Sequence, residues 1–253
     1  IYNPNTAELT LIRSRFTNQR RQPETDEFTA HFQSLTAPGG ALAGVKLTIH
    51  DIPFAFEGTG DAYYDSFRDR IFAGYVQNPD PANPGAGRSA IEAHAELERI
   101  TGIPVTSIEL LPPCFHIDIA LCPLPTGHML IYKGGMTEDS YNDLVQNEFI
   151  AKGLDPAEYL IEVSESDALQ NFVTNLICFD DNILLPYFGE DADRPDPALI
   201  ARLQAIGYNV ELVEYGELIK GSGALHCTAH LLQTRVQGGH IAQNNAAPVT
   251  EPA

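Results

Sequence analysis

Four residues able to share nucleophilic and acid–base chemistry recur at nearly regular intervals: Glu57 in FEGTGD, His116 in FHID, Asn171 in NFVTN and Cys227 in LHCTAH. Neighbours in this series lie about 56 residues apart, and one further step back from Glu57 lands on Asn3 in IYNPN. A cysteine thiolate is a nucleophile, histidine exchanges protons near neutrality, and carboxylates hold cations by charge-assisted hydrogen bonds. Cys227 follows the run Gly221-Ser222-Gly223-Ala224, where backbone can approach a ligand closely. Glu57 ends the apolar run PFAF and precedes Gly58-Thr59-Gly60-Asp61, a carboxylate at a strand end with permissive backbone after it. His116 and Asp118 alternate, so a strand there turns both to one face, and a histidine beside a carboxylate can act as general acid and base. Converging on one pocket, this set fits attack on a cationic carbon. Metal binding competes for the same atoms, because His226, Cys227 and His230 form HCxxH and His116 with Asp118 could add ligands. Strand geometry, which sends residues 226 and 227 to opposite faces, disfavours it. Cys114, Cys122 and Cys178 have aromatic or aliphatic neighbours and read as core.

The elements that must position these residues also repeat. Apolar residues at three- and four-residue spacing predict helices over Glu24–Leu35, Ser89–Ile100, Tyr141–Lys152 and Pro197–Ile206. Each is followed by a strand signal: Val45–Ile49, Val105–Leu110, Tyr159–Val163 and Tyr208–Val213. Between one such strand and the next helix lie two short apolar segments: Phe54–Phe56 with Ile71–Tyr75, Phe115–Leu121 with His128–Tyr132, and Phe172–Cys178 with Ile183–Tyr187. The unit is therefore strand, strand, helix, strand. Such α/β modules around an axis would bring the polar position of each first strand to a common centre, as in a propeller. Five modules of this length exceed 253 residues, and the module opened by Cys227 lacks its helix and closing strand. A segment ahead of Ile1 is expected to supply them. The expected organisation is one domain over residues 1–242, its first segment missing, with a frayed polar tail over 243–253.

Composition narrows the partners. With 15 Lys and Arg against 34 Asp and Glu, the net charge of −19 argues against nucleic acid and against anionic membrane, and suits a cationic substrate. No apolar run reaches the length of a membrane span, which predicts a soluble chain. Four cysteines without CxxC pairing predict neither a disulfide scaffold nor a zinc ribbon, and a cytoplasmic setting.

FEGTGDA, FHIDIALCPL and ELIKGSGALHCTAHL, in that order, resemble the three signature stretches of the guanidine-modifying (amidinotransferase/arginine deiminase) superfamily. The resemblance is nearest to its dimethylarginine dimethylaminohydrolase-like and arginine dihydrolase members. It implies the pentein fold, a five-bladed pseudo-symmetric α/β propeller, here with one blade incomplete. It further implies Cys227 as nucleophile, His116 as general acid and base, and Glu57 and Asp118 as the carboxylates gripping a guanidinium. Asp61 and Asn3 fall on the substrate side, and Arg88 matches an arginine that holds a substrate carboxylate. No metal or organic cofactor is implied. The partners implied are a small cationic guanidino substrate and, at most, further copies of the chain. Two departures stand out: Ser222 separates Gly221 from Gly223 where the family has adjacent glycines, and His226 takes a variable position beside the nucleophile. The implied reaction is hydrolysis of arginine or a methylated arginine through a covalent thiouronium. The alternatives are amidino transfer to an amine and a non-catalytic pentein that binds a partner.

Overall fold

A computed structural model describes residues 1–77, 89–189, 194–216 and 223–228. The predicted tail over 243–253, Arg88 and His230 lie outside the described residues. The first module runs through β1 (Tyr2–Asn3), β2 (Glu8–Arg13), α1 (Gln22–Thr36) and β3 (Lys46–Asp51). The second has β4 (Ala62–Asp65), β5 (Arg70–Tyr75), α2 (Ile91–Thr101) and β6 (Val105–Glu109). A short helix, α3 (Ile117–Ala120), leads into the third, with β7 (Leu121–Pro123), β8 (Met129–Ile131), α4 (Glu138–Glu148), α5 (Pro156–Tyr159) and β9 (Leu160–Glu162). After α6 (Glu165–Leu169), the fourth has β10 (Ile177–Phe179), β11 (Asn182–Tyr187), α7 (Pro197–Ala205) and β12 (Asn209–Glu214). The last described element is α8 (Leu225–Thr228).

Among the described residues the strands form four three-stranded sheets with one pattern. In each, the first strand pairs antiparallel with the second (Tyr63 opposite Phe72, Cys122 opposite Leu130), and the second pairs parallel with the third (Ile71 beside Val105, Leu130 beside Ile161). A parallel partner requires a crossover, which the long helix of each module supplies. Local sequence starts these helices: Pro23 opens α1, Thr137 caps α4 by accepting from Ser140 N, and Asp196 caps α7 by accepting from Ala198 N ahead of Pro197. The apolar faces merge across modules into a core containing Phe72, Ile108, Ile117, Leu130, Phe149 and Leu185.

The four helices and their following strands lie where periodicity predicts them, within a few residues. The first strands do not. Phe54–Phe56, Phe115–Leu121 and Phe172–Cys178 are not strands along their length, because each first strand begins only at Ala62, Leu121 or Ile177. The residues ahead of it coil through a short helical turn: Gly58–Asp61, Ile117–Ala120 and Val173–Asn175. Gly58 at φ +80 and Phe172 at φ +51 turn the chain out of the extended conformation, and at Gly58 a Cβ would meet Ser14 Oγ at 2.6 Å.

A buried cation ties the second module to the third. Arg68, at the turn between β4 and β5, pairs with Asp65 (Nη1 to Oδ2, 2.6 Å), donates to the carbonyls of Glu148 and Gly127, and lies over the Phe149 ring. Arg68→Leu strands the buried Asp65 and is expected to cost about 3–5 kcal/mol in urea unfolding. His94 of α2 is buried between Ser107 Oγ (2.7 Å) and Gly74 O, and burial lowers its pKa from 6.5 to about 4. The ring stays neutral in the fold but charges in the unfolded chain, so its contribution is complete above pH 6.5 and is lost as pH falls toward about 4. Unfolding titrations across that window should show a shallower loss for His94→Gln than for the native chain.

Candidate active site

The helical turns that precede the first strands carry the reactive groups. In the turn of the fourth module, Asn175 is fully buried, accepts at Oδ1 from the backbone N–H of both His226 and Cys227, and donates from Nδ2 to Cys227 Sγ at 3.1 Å. In the turn of the third, Asp118 is fully buried, and its Oδ2 lies 3.2 Å from Cys227 Sγ and 3.2 Å from His226 Nδ1. Ionised, it accepts from both. In the turn of the second, Glu57 Oε1 accepts from Thr17 N and Oγ1, and its Oε2 faces Arg21 Nη1 at 3.7 Å. Ser89 links this turn to itself, accepting from Glu57 N and donating to Asp61 Oδ2 at 2.5 Å.

Three buried polar atoms here have no hydrogen-bond partner among the described residues: His116 Nε2, Asp118 Oδ1 and Asp61 Oδ1. Buried polar groups are nearly always paired, so these three atoms make the cluster a candidate site for a polar ligand. Gly60 makes room for the imidazole, since a Cβ there would stand 3.0 Å from His116 Nδ1. Burial raises the Asp61 pKa to about 6, with Glu57 and Asp118 pushing the same way and His116 and the Ser89 hydroxyl opposing. Cys227 reaches solvent as a residue, yet desolvation of the thiol and then the Asp118 charge push its pKa up to about 12, against the Ala224 backbone and Asn175 amide. Without a cation beside it, the sulfur is a thiol at neutral pH.

The structure thus brings Cys227, Asp118, His116, Glu57 and Asp61 toward one place. Asn3 lies within β1, where its Oδ1 accepts from Asn5 N, and no hydrogen bond among the described residues ties it to the cluster. The shared strand face of His116 and Asp118 is corrected: His116 is the extended residue capping α3, and Asp118 sits inside that helical turn. The strand argument for His226 and Cys227 fails likewise, because both lie in α8 and both address Asp118 Oδ2. Asn171 bonds to Asp167 instead of the sulfur, and Asn175, four residues on, takes the place expected of it. Its signal is the second asparagine of NFVTN, which closes the turn ahead of the strand as Asp61 does. Arg21 and Thr17 were also missed. Arg21 lies over the Phe16 ring, bonded to Glu24 and facing Glu57, and its only sequence signal is a basic pair in an acidic chain.

Fold and site define a repeated α/β protein in which turns of the third and fourth modules place Asp118 and Asn175 on one thiol. No family model matches the chain. It is 29% identical over 220 residues to the bifunctional arginine dihydrolase/ornithine cyclodeaminase AgrE of Nostoc sp., covering 86% of this chain and 26% of that protein. It is 30% identical over 174 residues to the N(G),N(G)-dimethylarginine dimethylaminohydrolase of Mycobacterium tuberculosis, covering 68% of this chain and 47% of the relative. The solved structure of unliganded AgrE superposes with a TM-score of 0.72 at 26% identity, over 93% of this chain and 31% of that one. The chain is thus homologous to arginine dihydrolases and to a dimethylarginine dimethylaminohydrolase, and shares the α/β fold of the former. It spans about a quarter of the length of the AgrE and ArgZ relatives it matches.

Asn175→Leu keeps the volume but removes the acceptor for two backbone N–H groups and the donor to sulfur. It is expected to cost about 2–3 kcal/mol in urea unfolding and to move iodoacetamide labelling of Cys227 to higher pH.

Proposed function

We propose that this chain is the catalytic unit of a cysteine-dependent hydrolase acting on arginine or a close guanidino compound. The observation that carries this reading is the trio of buried atoms without a partner among the described residues, His116 Nε2, Asp118 Oδ1 and Asp61 Oδ1, beside a thiol that lies against Asp118. Two acceptors and a proton-exchanging nitrogen suit a planar cation with several N–H donors. The kinship with arginine dihydrolases points to the same substrate class.

Asp118, with Glu57 and Asp61, grips the guanidinium by charge-assisted hydrogen bonds and holds its carbon against Sγ. The bound cation offsets the carboxylate charge that keeps Cys227 protonated, so substrate binding and nucleophile activation are one event. The thiol gives its proton to His116 as the sulfur adds to the guanidinium carbon, the C–N bond breaks, and the departing nitrogen leaves as the neutral amine with that proton. That gives a covalent thiouronium. His116 then takes a proton from water, which attacks the same carbon, and the C–S bond breaks to release the ureido product and return the sulfur. The repeated modules and their turns fit a five-bladed propeller over residues 1–242. Asn3 in that arrangement belongs to the substrate side, and Arg88 and Arg21 are cations suited to a substrate carboxylate.

Incubation with arginine, methylated arginines and agmatine, with products identified by mass, tests the reading. Ammonia or an alkylamine should be released from at least one of them, and Cys227→Ser should reduce turnover by about a thousandfold or more. Undiminished turnover in that variant overturns the cysteine mechanism. Transfer of the amidino group to an added amine overturns hydrolysis.

A further inference from the structure

We propose that His226 is a positioning residue for the nucleophile: its Nδ1–H holds Asp118 Oδ2, draws charge from it, and so lets Cys227 ionise when substrate arrives. This rests on the reading of Cys227 as nucleophile. His226 Nδ1 lies 3.2 Å from Asp118 Oδ2, and an ionised carboxylate only accepts, which fixes the ring proton on Nδ1. The thiol of the next residue donates to the same oxygen, also at 3.2 Å. Two adjacent donors on one helical turn therefore share Oδ2 and leave Oδ1 without a partner among the described residues. Once the thiol loses its proton, sulfur and Oδ2 are two anions in contact, and the His226 N–H is the donor that remains between the carboxylate and α8. The ring is buried and cannot swing away, because it stacks on Tyr63 with centroids 4.1 Å apart at 29°, and Tyr63 is itself anchored through its hydroxyl to Thr174 O. With Tyr63, Tyr64, Cys122, Leu176 and Cys178, His226 also lines a cavity of about 260 Å³. The groups facing the sulfur are Asp118, Asn175 and His226, with Arg21 acting on it at longer range and Tyr63 behind the ring.

The test compares His226→Phe, which keeps the stacked ring and removes the N–H, with His226→Asn and His226→Gln. Asn places an amide nitrogen where Nδ1 stands, whereas Gln places it where Nε2 stands. Two quantities are read: the pH midpoint of iodoacetamide labelling at Cys227 without substrate, and the split of kcat from KM with arginine. His226→Phe and His226→Gln are expected to raise the midpoint by about one unit and to lower kcat about tenfold, with a smaller change in KM. His226→Asn should stay within about threefold of the native chain. Equal midpoints for the native chain and His226→Phe overturn the proposal. So does an Asn variant no better than Gln, a comparison that stands even if the Phe variant does not fold. Absence of turnover in the native chain would instead count against the proposed hydrolase, while the labelling comparison still decides the role of His226.

Discussion

Asp118 is a fully buried carboxylate whose two oxygens lead different lives. Oδ2 accepts from the Cys227 thiol and from His226 Nδ1, and Oδ1 has no partner among the described residues. An unpaired charge inside a protein is costly, so the rest of the site is arranged around making this one tolerable. The adjacent donors come from α8, and α8 is held in turn by Asn175, which takes both of its backbone N–H groups. The result is a carboxylate stabilised on one side only. On the other side, a cationic ligand would supply what the protein withholds.

That asymmetry explains why the thiol is held back. Desolvation and the Asp118 charge raise its pKa to about 12, which for an isolated nucleophile would be a defect. Under the proposed function it becomes selectivity, because the sulfur would stay protonated until a cationic substrate sat beside Asp118. Asp61 follows the same logic from the neighbouring turn, with its pKa raised to about 6 by burial and by Glu57 and Asp118. Glu57 differs, because Thr17 donates to its Oε1 twice and Arg21 faces its Oε2.

The scaffold makes such a cluster possible by repetition. Each sheet is too small to be stable alone, so adjoining modules share a core, and Arg68 bridges the second and third through Asp65 and two carbonyls. The turns ahead of the first strands are the places where every module departs from regular hydrogen bonding, and polar side chains can enter there without interrupting a ladder. Two of the three described turns address the sulfur, through Asn175 and Asp118, each more than 50 positions from Cys227 in the chain.

Much of this was legible in the sequence, because helical periodicity and strand patterning are local. The helices beginning near Glu24, Ser89, Tyr141 and Pro197 and the strands after them lie close to their predicted places, and the interval near 56 residues exposed the repeat that relates Glu57, His116 and Cys227. Apolar runs such as FHIDIAL could not disclose that the chain coils through a helical turn before entering the sheet. That choice depends on what the buried backbone finds to bond with. Nor could the sequence distinguish Asn171 from Asn175, since both are polar residues of one short segment and only the packed structure shows which one faces the sulfur. The sequence by itself determined the module, its repetition and the residue types of the chemistry. The tertiary structure alone decided that Asp118, Asn175 and His226 meet at Cys227, because those contacts depend on how separately folded modules pack, and no local pattern encodes that.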